Sequence, residues 1–325
     1  MAGTSDRIEG LDGLRAIAAI LVFLEHRVPG SALHLGGYGV RLFFVLSGYL
    51  IVGGLAREMA SAPPGRAGAL RVLRGFAVRR MLRILPLSFA VLGGAACLAA
   101  SGSIGPAAAA ELPWHALFLT NVYAGRVIGD WPPLLGHFWS LAVEEQFYLL
   151  AAPAIVLVAP GRAAMVCAAL ILAAALQFLR LAMQGAGPIL LITDSLVNFG
   201  MIALGGLMAT TRPRWEAGAR RIGPSTLLIV YLATPLLLAV LRAGLVAEQL
   251  SVLLAAALIA AVVAGRTAPG RAAFRHPPWR ISGASATDST SCTTSSRPRA
   301  SPASRAASSI STPTRLRPGS GSCSP

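Results

Sequence analysis

Eight apolar runs of about twenty residues each constrain this 325-residue chain more than any other feature. They fall at 11–29, 38–56, 84–104, 140–160, 163–183, 189–210, 224–243 and 248–265. A helix of that length crosses a hydrocarbon core of about 30 Å, and only helices or closed barrels satisfy their own backbone in lipid. The pattern predicts an all-α, polytopic transmembrane helical bundle of about eight spans. A further stretch, 112–128, is apolar but interrupted, and is expected as an interfacial or re-entrant helix. Only 13% of residues are charged, against about 25% in soluble domains. Met1 to Gly10 lacks a basic n-region and a small-residue cleavage site, so the first run is expected to be retained as an anchor.

Arginine placement gives an independent reading of topology. All 28 basic residues are arginine, against 13 acidic ones, for a net charge of +15. One cluster runs from Arg57 to Arg83, a second holds Arg212, Arg214, Arg220 and Arg221, and a third holds Arg266, Arg271 and Arg275. With a cytoplasmic N-terminus and eight spans, all three fall on the cytoplasmic side together with the Arg162 loop. The opposite loops hold only Arg126. The two signals agree with the positive-inside rule. They account for the charge without nucleic acid, for which no motif is present. The four cysteines, Cys97, Cys167, Cys292 and Cys323, have neither CxxC nor zinc spacing, so no disulfide framework or metal site is expected. The membrane-embedded domain is read as 1–276. Residues 277–325 form a Ser-, Thr-, Arg- and Pro-rich low-complexity tail.

Ionisable groups inside the apolar runs are the candidate chemistry, because each costs about 2.5–3.5 kcal/mol at a helix centre and persists only with partners. The first run carries Arg15, Glu25 and His26. Arg15 and His26 are eleven residues apart, nearly on one stripe and about 16 Å apart along the axis. The plain alternative is that they sit at opposite interfaces, with Arg15 snorkelling. Arg41 lies in the second run, where it either contacts a bound substrate or simply reaches the outer interface. Arg79, Arg80 and Arg83 share one helical face at the membrane surface; ordinary membrane anchoring would also put arginines there. Glu144 and Glu145 open the fourth span, and Glu144 shares a face with Tyr148. Asp194 and Asn198 either line a cavity or bond neighbouring helices. His34, His115, His137 and His276 are given no role.

Four blocks in order carry a family resemblance: Leu11–Ala16 with ten residues between Arg15 and His26; GVRLFFVLSGYLI over 39–51; RRMLRILP over 79–86; and FWSLAVEEQFY over 138–148. Together they resemble the membrane acyltransferase-3 family; Glu25 departs from the bulky apolar residue expected beside the histidine, and beyond Tyr148 only the helix pattern continues. The resemblance implies transfer of an acyl group, chiefly acetyl, from cytoplasmic acyl-coenzyme A to a hydroxyl of an extracytoplasmic carbohydrate or other surface acceptor. Its setting would be a bacterial inner membrane. A base near the hydroxyl suits an imidazole, which titrates near neutrality. His26 is therefore expected as general base, with transient acylation of His26 as the lesser alternative. Arg15 is expected to orient the donor, and Glu144 or Glu145 to orient His26 or an arginine. Arg79, Arg80, Arg83 and Arg41 are expected to hold coenzyme A phosphates through guanidinium forks. A transporter with a buried Arg/His/Glu path is the rival class, but no internal repeat is visible.

The resemblance also implies ten spans and, near the ninth, a segment like IS-Y-S-L-Y-L-x-H. Reading the codons of Gly283 to Thr294 two bases later can give Arg-Val-Ser-Tyr-Gly-Leu-Tyr-Leu-Val-His-His. Shifted Ser codons of the TCN type always give Phe, Leu, Ile or Val, so part of the alternation is automatic. The tail is accordingly read as an out-of-frame translation of the last two spans, and a truncated, inactive relative is the corresponding third reading.

Overall fold

The structure, a computed structural model, describes residues 10–28, 33–157, 162–241 and 244–265, with the backbone alone at 245–248. These residues belong to one compact unit, Met1–Arg280. Arg266, Arg271, Arg275, His276, Cys292, Cys323 and the tail with its proposed frameshift lie outside the described residues.

The described residues are helical throughout, with no strand among them. In chain order the helices are α1 (Leu11–Arg27), α2 (Leu35–Ser61), α3 (Arg66–Ala100), α4 (Pro106–Ala116) and the single turn α5 (Thr120–Val122), which continues into a π-helical turn, Tyr123–Ile128. Then follow α6 (Phe138–Leu157), α7 (Ala163–Met183), α8 (Pro188–Thr193), α9 (Ser195–Thr210), α10 (Arg212–Ala219), α11 (Pro224–Val240) and α12 (Leu245–Ala264). By length and composition, five helical stretches among the described residues are long and apolar enough to cross a membrane: α2, α3, α6, α7 and α8–α9 taken together. α10 and α11 make a sixth only if joined across a 93° bend. α1 and α11 have 17 residues each, a rise of about 26 Å, which is why the eight runs do not all qualify. The fold is that of a polytopic helical membrane protein.

Two segments differ from the sequence expectation, and a third follows it. The third span, read from 84, belongs to a 35-residue helix that begins at Arg66. Its length is about 52 Å, so the arginine-rich stretch is a helical extension of the span rather than a loop. Arginine, alanine and leucine are all good helix formers. The sixth span breaks at Asp194, whose extended backbone ends α8 and whose carboxylate caps α9 by accepting from the Leu196 and Val197 amides at 3.0 and 3.1 Å. Stretch 112–128 is interrupted as expected, by Phe118 in the left-handed region and by the π-helical turn.

The core forms where α2 is sandwiched between α1 and α9. Leu42, Phe44, Val45, Leu46 and Val52 of α2 are fully buried, as are Leu14 of α1 and Ile202 and Ala203 of α9. α2 and α9 approach backbone to backbone through two glycines. A Cβ on Gly48 would collide with the Ile202 carbonyl oxygen, and one on Gly205 with that of Val45. Small residues serve this purpose at helix contacts in membranes. α1 and α2 run antiparallel: Glu25 accepts from the Gly36 amide at 3.3 Å, and Gly39 lies against the Ala18 carbonyl. The other side of α2 is closed by Tyr231 of α11, whose hydroxyl donates to the Tyr38 carbonyl at 2.6 Å.

Candidate active site

α1 carries His26 on its last turn, at one end of the bundle. The His26 Nδ1 lies 2.7 Å from the Val22 carbonyl oxygen. A carbonyl only accepts, so Nδ1 carries the proton and Nε2 keeps its lone pair. His26 lines a groove of about 540 Å³ with Ala18, Ala19, Val22 and Arg27 of α1, Gly39 and Phe43 of α2, and His137 and Ser140. The walls are apolar and the imidazoles bring the polarity.

His137 precedes α6, and its ring meets that of His26 edge-on, centroids 6.2 Å apart at 88°. Its place is fixed from behind. Phe138 stacks edge-on against both His137 (5.1 Å) and His115 (5.9 Å), and Phe138, Leu135 and Leu92 form a separate small core with Leu112 and Ala116. The preceding loop is tied to α4 by the Leu134 amide donating to Glu111. His115 is wholly buried, 2.8 Å from the Thr120 hydroxyl and 3.4 Å from Glu111. Burial, helped by His137, pushes His115 down to about 4, and burial raises Glu111 above the usual carboxylate range. With His115 neutral at pH 7, their contact is a hydrogen bond rather than an ion pair. His137 is also lowered, by burial first and then by repulsion from His26. Neither His115 nor His137 was singled out in the sequence, where both lie in segments without periodicity. The histidine two residues before the FWSLAVEEQFY tryptophan was the one signal available.

The arginines gather toward the other end. Arg79, Arg80 and Arg83 of α3 line a second groove, of about 250 Å³, with Phe76 and with Leu50, Gly54 and Glu58 of α2. Arg79 is held by Glu58 at 2.6 Å. The Arg80 guanidinium lies 5.7 Å over the Phe76 ring and 5.2 Å over the Tyr148 ring, a doubly stacked cation. Arg15 pairs with Asp12 at 3.4 Å and lies within the field of Arg80 and Arg83. Measured along α2, Gly36 at the His26 level and Leu50 to Glu58 at the second groove are 14 to 22 residues apart, roughly 20–30 Å.

Glu144 and Glu145 lie between these ends. Glu144 is buried, and its Oε2 accepts from the Tyr148 hydroxyl at 3.1 Å, with Ser47 beside it and Arg80 and Arg15 within electrostatic reach. Oε1 of Glu144 and Oε1 of Glu145 have no hydrogen-bond partner among the described residues. Arg41 is not grouped with the other arginines. It is buried over the Tyr38 ring at 5.3 Å, some 9 residues of α2 short of Leu50 and hence about 14 Å from the second groove, on the His26 side. Asp194 lines a small pocket of about 190 Å³ with Arg126, Gln177 and Ser195, and both Asp194 and Asn198 bond within the fold. Asp194 also pairs with Arg126 at 2.8 Å and accepts from Gln177 at 3.1 Å, while Asn198 Nδ2 donates to the carbonyls of Ile192 and Asp194. Among the described residues no group of three or more His, Cys, Asp or Glu side chains is arranged to hold a metal.

A helical bundle with several apolar helices of membrane-crossing length, an imidazole groove at one end and a stacked arginine groove at the other is an integral, multi-pass membrane protein. The family profile described as an acyltransferase domain matches residues 8–274, and the chain belongs to that family, acyltransferase-3. It is 35% identical over 150 residues to a candidate O-acetyltransferase of Staphylococcus aureus (strain COL), covering 44% of this chain and 24% of that protein. It is 31% identical over 169 residues to a candidate peptidoglycan O-acetyltransferase of Bacillus subtilis (strain 168), covering 44% and 23%. Against the peptidoglycan O-acetyltransferase of Listeria monocytogenes serovar 1/2a (strain EGD-e), identity is 32% over 164 residues, with the same coverage. The chain thus spans about a quarter of these relatives' length. No solved structure matches it.

Proposed function

We propose that the chain O-acylates a hydroxyl acceptor, with acetyl the leading acyl group, taking it from acyl-coenzyme A on the cytoplasmic side of a bacterial inner membrane. The acceptor class is a cell-envelope carbohydrate, peptidoglycan first, as in the names its relatives carry. The observation that carries the reading is the separation of a base from a cluster of cations by roughly 20–30 Å of bundle, a length that a donor with phosphates at one end and a thioester at the other must span. Arg80 and Arg83, with Arg15 farther along, suit the phosphates. Arg79, committed to Glu58, adds charge more than a free fork. Arg41, on the His26 side, suits the acceptor end better than the phosphates.

In the reaction the acceptor oxygen attacks the thioester carbonyl while His26 Nε2 takes the hydroxyl proton. Collapse of the tetrahedral intermediate breaks the carbon–sulfur bond, the imidazolium returns its proton to the thiolate, and the products are an ester and a free thiol. Positioned base catalysis of this kind contributes about 10²–10⁴ in rate. Glu144, fixed by Tyr148 near Arg80 and Arg15, holds the arginines in place; Glu145, with an uncommitted oxygen, is the second candidate for that role. The test is transfer of label from acetyl-coenzyme A in membranes. His26→Ala is expected to lower transfer at least 100-fold at unchanged protein level, and full activity in that variant would refute the assignment.

The tail is read as out of frame, a reading supported by the family match ending at residue 274, close to where the composition changes. Resequencing the source gene across codons 265–300 tests it: an unchanged frame removes the reading.

A further inference from the structure

His26 is not alone at its end of the bundle, and what faces it is a second imidazole whose ring nitrogens have no hydrogen-bond partner among the described residues. His137 meets His26 edge-on with ring centroids 6.2 Å apart, close enough for one small group to reach both rings. Both rings line the same groove. His26 has spent Nδ1 on the Val22 carbonyl and offers Nε2. His137 is held by packing alone: Phe138 edges against it, and its loop is pinned through Leu134 and Glu111 to α4. The ring is exposed in the groove that it shares with His26.

We propose that His137 binds the acceptor hydroxyl and holds it at His26, so that the two imidazoles form a clamp on one oxygen. This inference rests on the acyl-transfer reading above. Burial and the neighbouring His26 keep His137 neutral at pH 7, so it carries one donor and one acceptor nitrogen. Its N–H donates to a lone pair of the acceptor oxygen while that oxygen's proton points to His26 Nε2. The proton goes to His26 and His137 undergoes no net change. Arg27, the remaining charge lining the groove, lies 5.4 Å over the Phe23 ring on the same turn of α1, where it suits polar groups of the acceptor beyond the reacting hydroxyl. The clamp predicts selection of a hydroxyl acceptor over water, because water gains little from a second anchor while a sugar hydroxyl is oriented by it.

The experiment is a partition measurement on the full chain in membranes. Labelled acetyl-coenzyme A and a soluble peptidoglycan glycan fragment are supplied, and label is counted both in the glycan ester and as free acetate. The ratio does not depend on how much protein is folded. His137→Ala is expected to lower the ester-to-acetate ratio about 10- to 100-fold, with a raised KM for the glycan and an unchanged KM for the donor. His137→Gln, which keeps an N–H donor, is expected to recover part of it. An unchanged ratio in His137→Ala overturns the clamp, as does loss of both products from His137→Gln at normal protein level, which would put His137 in donor chemistry. If the unaltered chain releases label into neither product, it is the acyl-transfer reading that fails.

Discussion

His115 shows how one side chain is set by what surrounds it. Its imidazole is pushed down to about 4 by burial, so between its ordinary value near 6.5 and about 4 the unfolded chain binds a proton that the folded chain refuses. Stability from this residue is complete above that window and is lost as pH falls through it. His137 adds to the slope with the same sign, and Glu111, raised by burial, opposes it above its ordinary value. Thermal unfolding in detergent between pH 7 and 4 is expected to show a falling Tm, with a shallower fall in His115→Gln. At the other groove, Arg80 stacks on two rings as a flat cation, which a lysine cannot reproduce. Arg80→Ala is expected to raise the KM for acetyl-coenzyme A about 10-fold or more, a loss of one charge-assisted contact, and Arg80→Lys to recover only a small part. A donor titration under initial-rate conditions separates the two.

Helices rather than single residues decide how the two grooves are held in one bundle. α2 contributes walls to both, and its register against α9 depends on Gly48 and Gly205 having no side chain. Gly48→Leu forces a side chain into the Ile202 backbone and is expected to cost at least about 1–3 kcal/mol, or to separate the helices, read as loss of monodisperse protein on gel filtration. Gly54, which meets nothing within 4 Å where a Cβ would stand, should accept alanine with little change. The break at Asp194 belongs to the same scale. Asp194→Ala removes the α9 cap and the partner of Arg126, and about 0.5–2 kcal/mol is expected from the cap alone. Asp194→Asn should retain much of the capping.

At the scale of the molecule, what could be read from the sequence divides along physical lines. Apolar length and arginine bias are sums over twenty residues, so α2, α6 and α7 emerge near their true limits, and the 112–128 interruption is visible in its polar residues. Arg79, Arg80 and Arg83 were legible on one helical face, but the start of α3 at Arg66 was hidden because hydropathy reports lipid contact, and a helix that continues out of the bilayer loses its apolar signal without losing its hydrogen bonds. The break at Asp194 was hidden because one residue hardly changes a twenty-residue sum. Within the site, Arg15, His26 and Glu144 were legible because ionisable groups in apolar runs are costly. His137 and His115 were not, because their importance arises from α4 and its loop folding against α6, a pairing that no local period encodes. The separate placement of Arg41 was equally out of reach, since all four arginines carry the same residue-level signal.

The central claim is that a base at one end of this bundle activates a hydroxyl that receives an acyl group from a donor held at the other, and sided vesicles test it most directly. The protein is reconstituted in one orientation, verified by thiol labelling of single cysteines placed near Arg66 and near Gly102, with labelled acetyl-coenzyme A on the Arg66 side and the peptidoglycan glycan fragment on the Gly102 side. Labelled ester is expected only on the Gly102 side, only with the donor on the Arg66 side, and not with His26→Ala. Equal labelling with the donor on either side of sealed vesicles, or full labelling by His26→Ala, would contradict the account.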